Sequence, residues 1–374
     1  MIKAQAKNVL FVSTAMALVA WLLYNLGQNL ESRGLGISYA FLLEATSFPI
    51  GESMISYRSG DTYLRALTVG FLNTVKLSIA GIVLATLFGA AIGLLARMPH
   101  PLVRAVTTSY VEFTRNVPLL LILVICASAV RNLPPGRQAW TALDTFFISS
   151  RGLYMPWPVF GDWGLHLLVG FVALALVFWL CVRAALESRE RTGRFPARAI
   201  LAVGTCLIAC IVLITLTWSV LSVDRPVLAG FNFRGGWSIT PEYLAMLFGL
   251  AFYTSGFIAE IVRGALASLP KGQREAANAL GMSRSLTLWL VLVPQALRLM
   301  LPPLANQYLN LTKNSTLAVL IGYPDLVSVG NTALNQTGRA IETVSIYLFI
   351  YLALSLATSY LVKRLEQRSQ LIAR

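Results

Sequence analysis

Few charged side chains interrupt the apolar runs of this chain, and their spacing is the first guide to chemistry. Glu112 and Arg115 lie three residues apart near one end of an apolar run, and Glu260 and Arg263 repeat the spacing at the end of another. Residues three apart share a helical face, so each pair can close into an ion pair or stand at a charged gate. Ionisable groups inside apolar spans mark functional positions by default. Snorkelling of the long side chains toward an interface is the plainer alternative. Lys313, Asn314 and Thr316 fall late in a further run, where lining a polar path and hydrogen bonding between helices are equally open. No catalytic centre assembles from the rest. There are two histidines, His100 and His166, and four cysteines, Cys126, Cys181, Cys206 and Cys210, all within apolar runs. No CxxC pair accompanies a histidine, so a zinc site is not indicated, and the cysteines read as packing residues. The phosphate-binding pattern GxxxxGK[ST] is absent from the sequence, so the chain does not hold a nucleotide by that route.

The elements that position these residues follow from composition. Of 374 residues 56% are hydrophobic and 12% charged, the latter about half the share usual in soluble domains. Mean hydropathy is +0.68. Such a chain cannot clothe a soluble core in polar surface, and neither disorder nor a disulfide scaffold fits. A polytopic helical membrane protein remains, an all-α bundle. The net charge of +14 is the mark of basic cytoplasmic loops, not of nucleic-acid binding. A spanning helix needs about 20 mostly apolar residues, and eight candidates fit: 9–26, 66–96, 109–130, 165–183, 198–221, 242–262, 293–322 and 344–362. The first reads as a retained anchor, because no small-x-small cleavage site follows it. With the N-terminus cytoplasmic, the cytoplasmic segments hold twice as many Lys and Arg as the opposite ones. Both termini are then expected in the cytoplasm of a multi-pass membrane protein.

The connections differ in character. Residues 131–163 and 222–241 are rich in Pro, Gly and Trp, which predicts ordered turns at an outer interface, not helices. Residues 184–197 read as a short charged cytoplasmic turn. In the second span, Gly81, Ala85, Gly89 and Gly93 recur every four residues, a flat stripe for close helix approach by this chain or a partner. Between the spans 242–262 and 293–322 the chain reads as a short amphipathic surface helix. Pro270 and Gly272 break the preceding helix. Glu275 is expected in the first turn, and Ala276, Ala277, Ala279 and Leu280 supply a small apolar surface. Gly281 can end the helix in a left-handed conformation. Such a helix can seat in a cleft of another protein or lie against its own bundle.

Glu275-Ala276-Ala277 followed by Gly281 resembles the EAA loop of permease subunits in ABC importers. The surrounding strings Ala259-Glu260-Ile261-Val262-Arg263-Gly264, Pro294-Gln295-Ala296-Leu297-Arg298 and Lys313-Asn314-Ser315-Thr316-Leu317 are similar to the polar amino-acid branch of type I importers. So are Gly70-Phe71-Leu72-Asn73-Thr74-Val75-Lys76 and Tyr110-Val111-Glu112-Phe113-Thr114-Arg115-Asn116. The extra first span and the two spans between the core halves look like the Q-type, or B-type, permease of the general L-amino-acid (Aap/Bzt) importers of Gram-negative bacteria.

The resemblance implies the MetI-like fold of type I permeases, with about eight spans in this chain. It implies an N-terminal anchor and periplasmic segment over 1–65, a transmembrane domain over 66–362 and a tail over 363–374. The domain has its core at 66–130 and 240–362 and an insertion at 131–239. Glu275, Ala276, Ala277, Leu280 and Gly281 would couple to a separate ATPase. Glu112, Arg115, Glu260, Lys313, Asn314 and Thr316 would be candidates for the translocation path or its gate. The implied partners are a second, different permease, two ATPase subunits that bind ATP and Mg, a periplasmic amino-acid-binding protein, L-amino acids and the inner-membrane bilayer. The chain itself would hold no cofactor and would not be an enzyme. Many relatives carry Asp where this chain has Asn314, which removes a possible charge from the path. An ion-gradient-driven secondary transporter is the rival, but it calls for inverted repeats, and none is evident.

Overall fold

The computed structural model describes residues 2–32, 36–160, 169–180, 182–183, 204–206, 208–210, 221–230 and 232–371. It divides into two units, Met1–Cys126 with Ala245–Arg374, and Ala127–Leu244. In the first unit, α1 (Ile2–Ser32) contains the first expected span, and α2 (Tyr63–Leu95) is the second. The Thr62 hydroxyl starts α2 by accepting the Arg65 backbone N–H at 3.3 Å, a side-chain cap for an otherwise orphaned donor.

The expected span 109–130 is not one rod. The helices α3 (Pro101–Asn116) and α4 (Leu119–Arg131) meet at a bend of 107°. The cause is Pro118, whose ring excludes helical backbone at the residue before it. Val117 is accordingly extended, with φ −93° and ψ 132°. In the second unit α5 (Val169–Leu180) is a short apolar helix. It falls within the expected span 165–183, which lies partly outside the described residues. The span 198–221 lies largely outside them, and the charged turn 184–197 and His166 lie wholly outside.

Beyond these, α6 (Pro241–Ser268) precedes the short helix α7 (Lys271–Ala279). The rod α8 (Arg284–Ile321) then runs for 38 residues, starting earlier than the expected 293. The Ser283 hydroxyl caps it by accepting the Leu286 N–H at 3.3 Å, so helix resumes directly after the turn. A further helix that hydropathy did not reveal, α9 (Leu326–Thr337), precedes α10 (Ala340–Leu371). Among the described residues four helices are long and apolar enough to cross a membrane, or five counting the bent α3–α4 pair. The count of eight is therefore not reached within the described residues.

The glycine stripe packs inside the chain. A Cβ at Gly89 would lie 2.6 Å from Ile258 Cβ and 2.8 Å from the Ser255 carbonyl oxygen. At Gly93 it would lie 2.7 Å from the Ala259 carbonyl oxygen. Gly81 faces the Leu311 side chain of α8. Around this contact Ala85, Ile258, Val262, Leu266, Ala296 and Leu311 form a buried cluster.

The second unit is where the all-α reading needs extending, because its Pro-, Gly- and Trp-rich segments fold as short strands. These are β1 (Trp140–Ala142), β2 (Phe146–Ser149), β3 (Gly152–Met155), β4 (Trp157–Phe160), β5 (Leu221–Asp224), β6 (Val227–Ala229), β7 (Asn232–Arg234) and β8 (Trp237–Ile239). One antiparallel sheet has the order β1-β2-β3-β8, and β4–β5 and β6–β7 pair separately. Phe147 stacks on Phe233 at 4.5 Å, and the Tyr154 hydroxyl bonds Asn232 Oδ1 at 2.7 Å. The Pro- and Gly-rich turns predicted here are the corners of these hairpins.

Replacing Gly89 by Ala must push α2 from α6, because one obstacle is backbone. The expected cost is about 1–3 kcal/mol, read as a lower thermal unfolding midpoint in detergent. Gly264→Ala in α6 meets nothing within 4 Å and should hold or raise the midpoint, since Ala favours helix by up to about 1 kcal/mol. Equal midpoints for the Gly89 variant and the parent would contradict the α2–α6 contact.

Candidate functional site

The surface helix α7 is defined by its two ends. Pro270 stands at its N-cap with φ −56° and ψ 134°, and helix starts at Lys271. Gly272 therefore lies inside α7 and does not break the preceding helix. Glu275 falls in the second turn, not the first, because the proline alone sets the start. At the other end Gly281 is left-handed, with φ +69°. The Met282 N–H bonds the Ala277 carbonyl at 3.0 Å and the Gly281 N–H bonds that of Asn278 at 2.9 Å. This pair of bonds is the Schellman stop, which satisfies carbonyls that the helix leaves free. The Ser283 cap of α8 follows at once, so the turn between α7 and α8 is specified residue by residue.

Only one face residue anchors α7. Ala277 is 3% exposed, whereas Leu280 is 80% exposed and Glu275, Ala276 and Ala279 are also exposed. A second tie is the Gln295 Nε2 of α8 donating to Gln273 Oε1 at 3.0 Å. The surroundings are basic. Burial and the charges of Arg274 and Arg263 hold the Arg97 guanidinium below its usual value, although arginine stays charged at any physiological pH. An apolar residue exposed beside a positive field is a surface suited to a partner with an apolar cleft and acidic rim.

The other candidate residues distribute as follows. Arg263 grips Glu260 with two bonds, Nε to Oε2 at 2.8 Å and Nη2 to Oε1 at 2.6 Å. Glu112 and Arg115 are both exposed and form no ion pair with each other. Asn314 lines a cavity of about 240 Å³ between α6 and α8, with Tyr253, Thr254, Phe257, Gln307 and Asn310. Lys313 is exposed and Thr316 half-buried, its hydroxyl returned to the Lys313 carbonyl at 2.9 Å. Thus Asn314 joins a polar cavity, Glu260 an ion pair with Arg263, and Lys313 neither. Sequence reasoning passed over Gln307 and Asn310. The signal was present, since 307, 310 and 314 recur at helical spacing and place three amides on one face.

Residues 183–370 match the family of binding-protein-dependent transport system inner membrane components. The chain is 42% identical over 386 residues to the putative amino-acid ABC transporter permease protein YhdX of Escherichia coli, covering 100% of this chain and 95% of that protein. The chain belongs to this family. A general L-amino acid transport system permease protein, AapQ of Rhizobium johnstonii, is 39% identical over 98% of this chain and 92% of its own length. The permease BztB of a glutamate/glutamine/aspartate/asparagine transport system in Rhodobacter capsulatus is 34% identical over 93% and 89%. The resemblance to Q-type and B-type permeases drawn from the motifs holds over 98% of the chain for AapQ and 93% for BztB. The chain is a multi-pass membrane permease of the MetI-like type, and the rival reading as a secondary transporter gains no support from these relatives.

Because nothing lies within 4 Å of a Cβ at Gly281, substitution there is opposed by backbone conformation alone. Gly281→Ala should cost about 1–2 kcal/mol in the turn, and Gly281→Asn less. Hydrogen exchange at the Met282 amide reads it, with faster exchange in Ala than in Asn. Equal exchange in all three chains would remove the left-handed stop from the argument.

Proposed function

We propose that this chain is one of two different permease subunits in an ATP-driven importer of L-amino acids, with both termini in the cytoplasm. The single observation that carries the reading is α7, a helix capped at both ends, held by Ala277 and one amide pair and otherwise bare, in a chain of this family. Its bare face, with Glu275, Ala276 and Leu280, would sit in a groove of an ATPase subunit. Ala277 and Gly281 would hold its shape. ATP and Mg would be bound by two such ATPase subunits, and a periplasmic binding protein would deliver the amino acid.

The connections supply the mechanics. Two residues join α6 to α7 and four join α7 to α8, so displacement of α7 passes to both long helices. The cavity between those helices would change width as they move. Its amide and hydroxyl groups can meet the ammonium and carboxylate of an amino acid without a net charge of their own. Glu260, Arg263, Arg115 and Glu112 would form a charged mouth toward the α7 end of the path. Lys313 and Thr316 would flank the cavity without lining it.

The test is ATPase activity in nanodiscs that hold this chain with its partner permease and ATPase. Stimulation should require both the binding protein and an L-amino acid. Gly281→Trp should abolish that stimulation while the subunits still co-purify. Full stimulation in the Gly281→Trp complex would sink the coupling role. Uptake that survives without ATP but collapses with the ion gradient would return the secondary transporter.

A further inference from the structure

Asp325 takes no part in the cavity or in α7, yet it is the most confined carboxylate described. It lies in the connection between α8 and α9, outside the spanning helices, and is 0% exposed. Its Oδ1 caps α9 by accepting the Ser328 N–H at 2.8 Å. Its Oδ2 lies 3.5 Å from the Tyr351 hydroxyl of α10.

Three helices converge on this carboxyl. From α2, Thr74 Oγ1 accepts the Leu326 N–H at 3.0 Å, and Asn73 Nδ2 donates to the Pro324 carbonyl at 2.9 Å. The Tyr323 hydroxyl donates to the Asn73 carbonyl at 3.2 Å. Gly70 lets α2 approach so closely that a Cβ there would lie 3.0 Å from the Asp325 carbonyl oxygen. From α10 the titratable groups that face the carboxyl are Tyr347 and Tyr351, both neutral phenols. From α2 the groups that meet residues 324–326 are the neutral Gly70, Asn73 and Thr74. No lysine or arginine is among the groups that act on it.

We propose that Asp325 is a proton-binding site at the junction of α2, α9 and α10, and that loss of its proton loosens that junction. The protonated carboxyl keeps the cap on α9 through one oxygen and can place its O–H toward Tyr351. The ionised form puts a negative charge among neutral neighbours with no cation beside it, an arrangement that burial opposes. Burial pushes the carboxyl up to about 7, although the N–H groups of Ser328 and Val327 and the Tyr351 hydroxyl pull the other way. The direction of the stability effect follows from proton counting. From the ordinary value of 3.8 to about 7 the folded chain holds the proton and the unfolded chain does not. Stability therefore falls as pH rises through that window and is level above it.

The test is infrared titration of the full chain in nanodiscs from about pH 5 to about pH 9, with Asp325→Asn and Tyr351→Phe beside it. Asn keeps an acceptor for the Ser328 cap and cannot titrate. A protonated-carboxyl band that fades with a midpoint near 7 and is missing from Asp325→Asn is expected. Over the acid half of the range the thermal midpoint should fall with rising pH in the parent, and fall less in the Asn variant. Tyr351→Phe removes a bond to the charged form and should move the band's midpoint to higher pH. A parent band already lost at about pH 5, or identical titrations in parent and Asp325→Asn, would overturn the site. If Asp325→Asn fails to fold, an unmoved midpoint in Tyr351→Phe does so. The infrared result does not depend on transport, so it stands or falls separately from the importer reading.

Discussion

The distance between α2 and α6 is the constraint on which the larger unit rests. In lipid there is no hydrophobic drive to bring two apolar helices together, so van der Waals contact over small residues must do it. Gly89 and Gly93 provide that contact, with Ile258, Ala259 and Val262 pressed against bare backbone. The consequence reaches across α6. Residues 255, 258, 259 and 262 face α2, while Tyr253, Thr254 and Phe257 face the cavity with α8. At 100° per residue these sets occupy opposite sides of the helix. Seating one face on α2 therefore fixes which residues the other face offers to the polar cavity.

The same helix ends in the surface element. Long helices transmit motion only if their junctions are stiff, and both junctions of α7 are. A proline sets one end, and the Schellman stop followed directly by a serine cap sets the other. The helix face is by contrast lightly held, by Ala277 and one amide pair. A helix fixed at its ends and free on its face keeps its shape while its bare side is covered by something else. The Glu260–Arg263 pair, half in water and worth at most about 1 kcal/mol, adds charge near this junction more than it adds strength.

Much of this arrangement was legible in the residues. Hydropathy located α1, α2, α6, α8 and α10, and the left-handed Gly281 followed from its place after an alanine-rich segment. What escaped did so for local reasons. The bend at Pro118 is hidden because the polar stretch Glu112–Asn116 reads as the charged end of one span, and only the pre-proline residue marks the break. Glu275 stands one turn later than expected because Pro270 alone, without Gly272, sets the start of the helix. The strands of the second unit are three or four residues long, too short for an alternating pattern to stand out among turns. And α9 is a 12-residue helix whose mixed composition is set by what packs on it, not by a membrane.

Polar groups within an apolar bundle are placed by their cost. A charge at the centre of a spanning helix costs about 2.5–3.5 kcal/mol even on permissive scales. The chain puts amides at 307, 310 and 314 inside the cavity and turns Lys313, their neighbour, outward. Amides can pair with either sign of charge and ask for no counter-ion. Where a carboxylate is fully enclosed, at Asp325, it lies beyond the end of a span and is given N–H and O–H partners in place of a cation. At these two places the chain meets the cost of enclosure with neutral hydrogen-bonding partners, whereas Glu52 and Glu342 are each matched by a cation, Lys76 and Arg339.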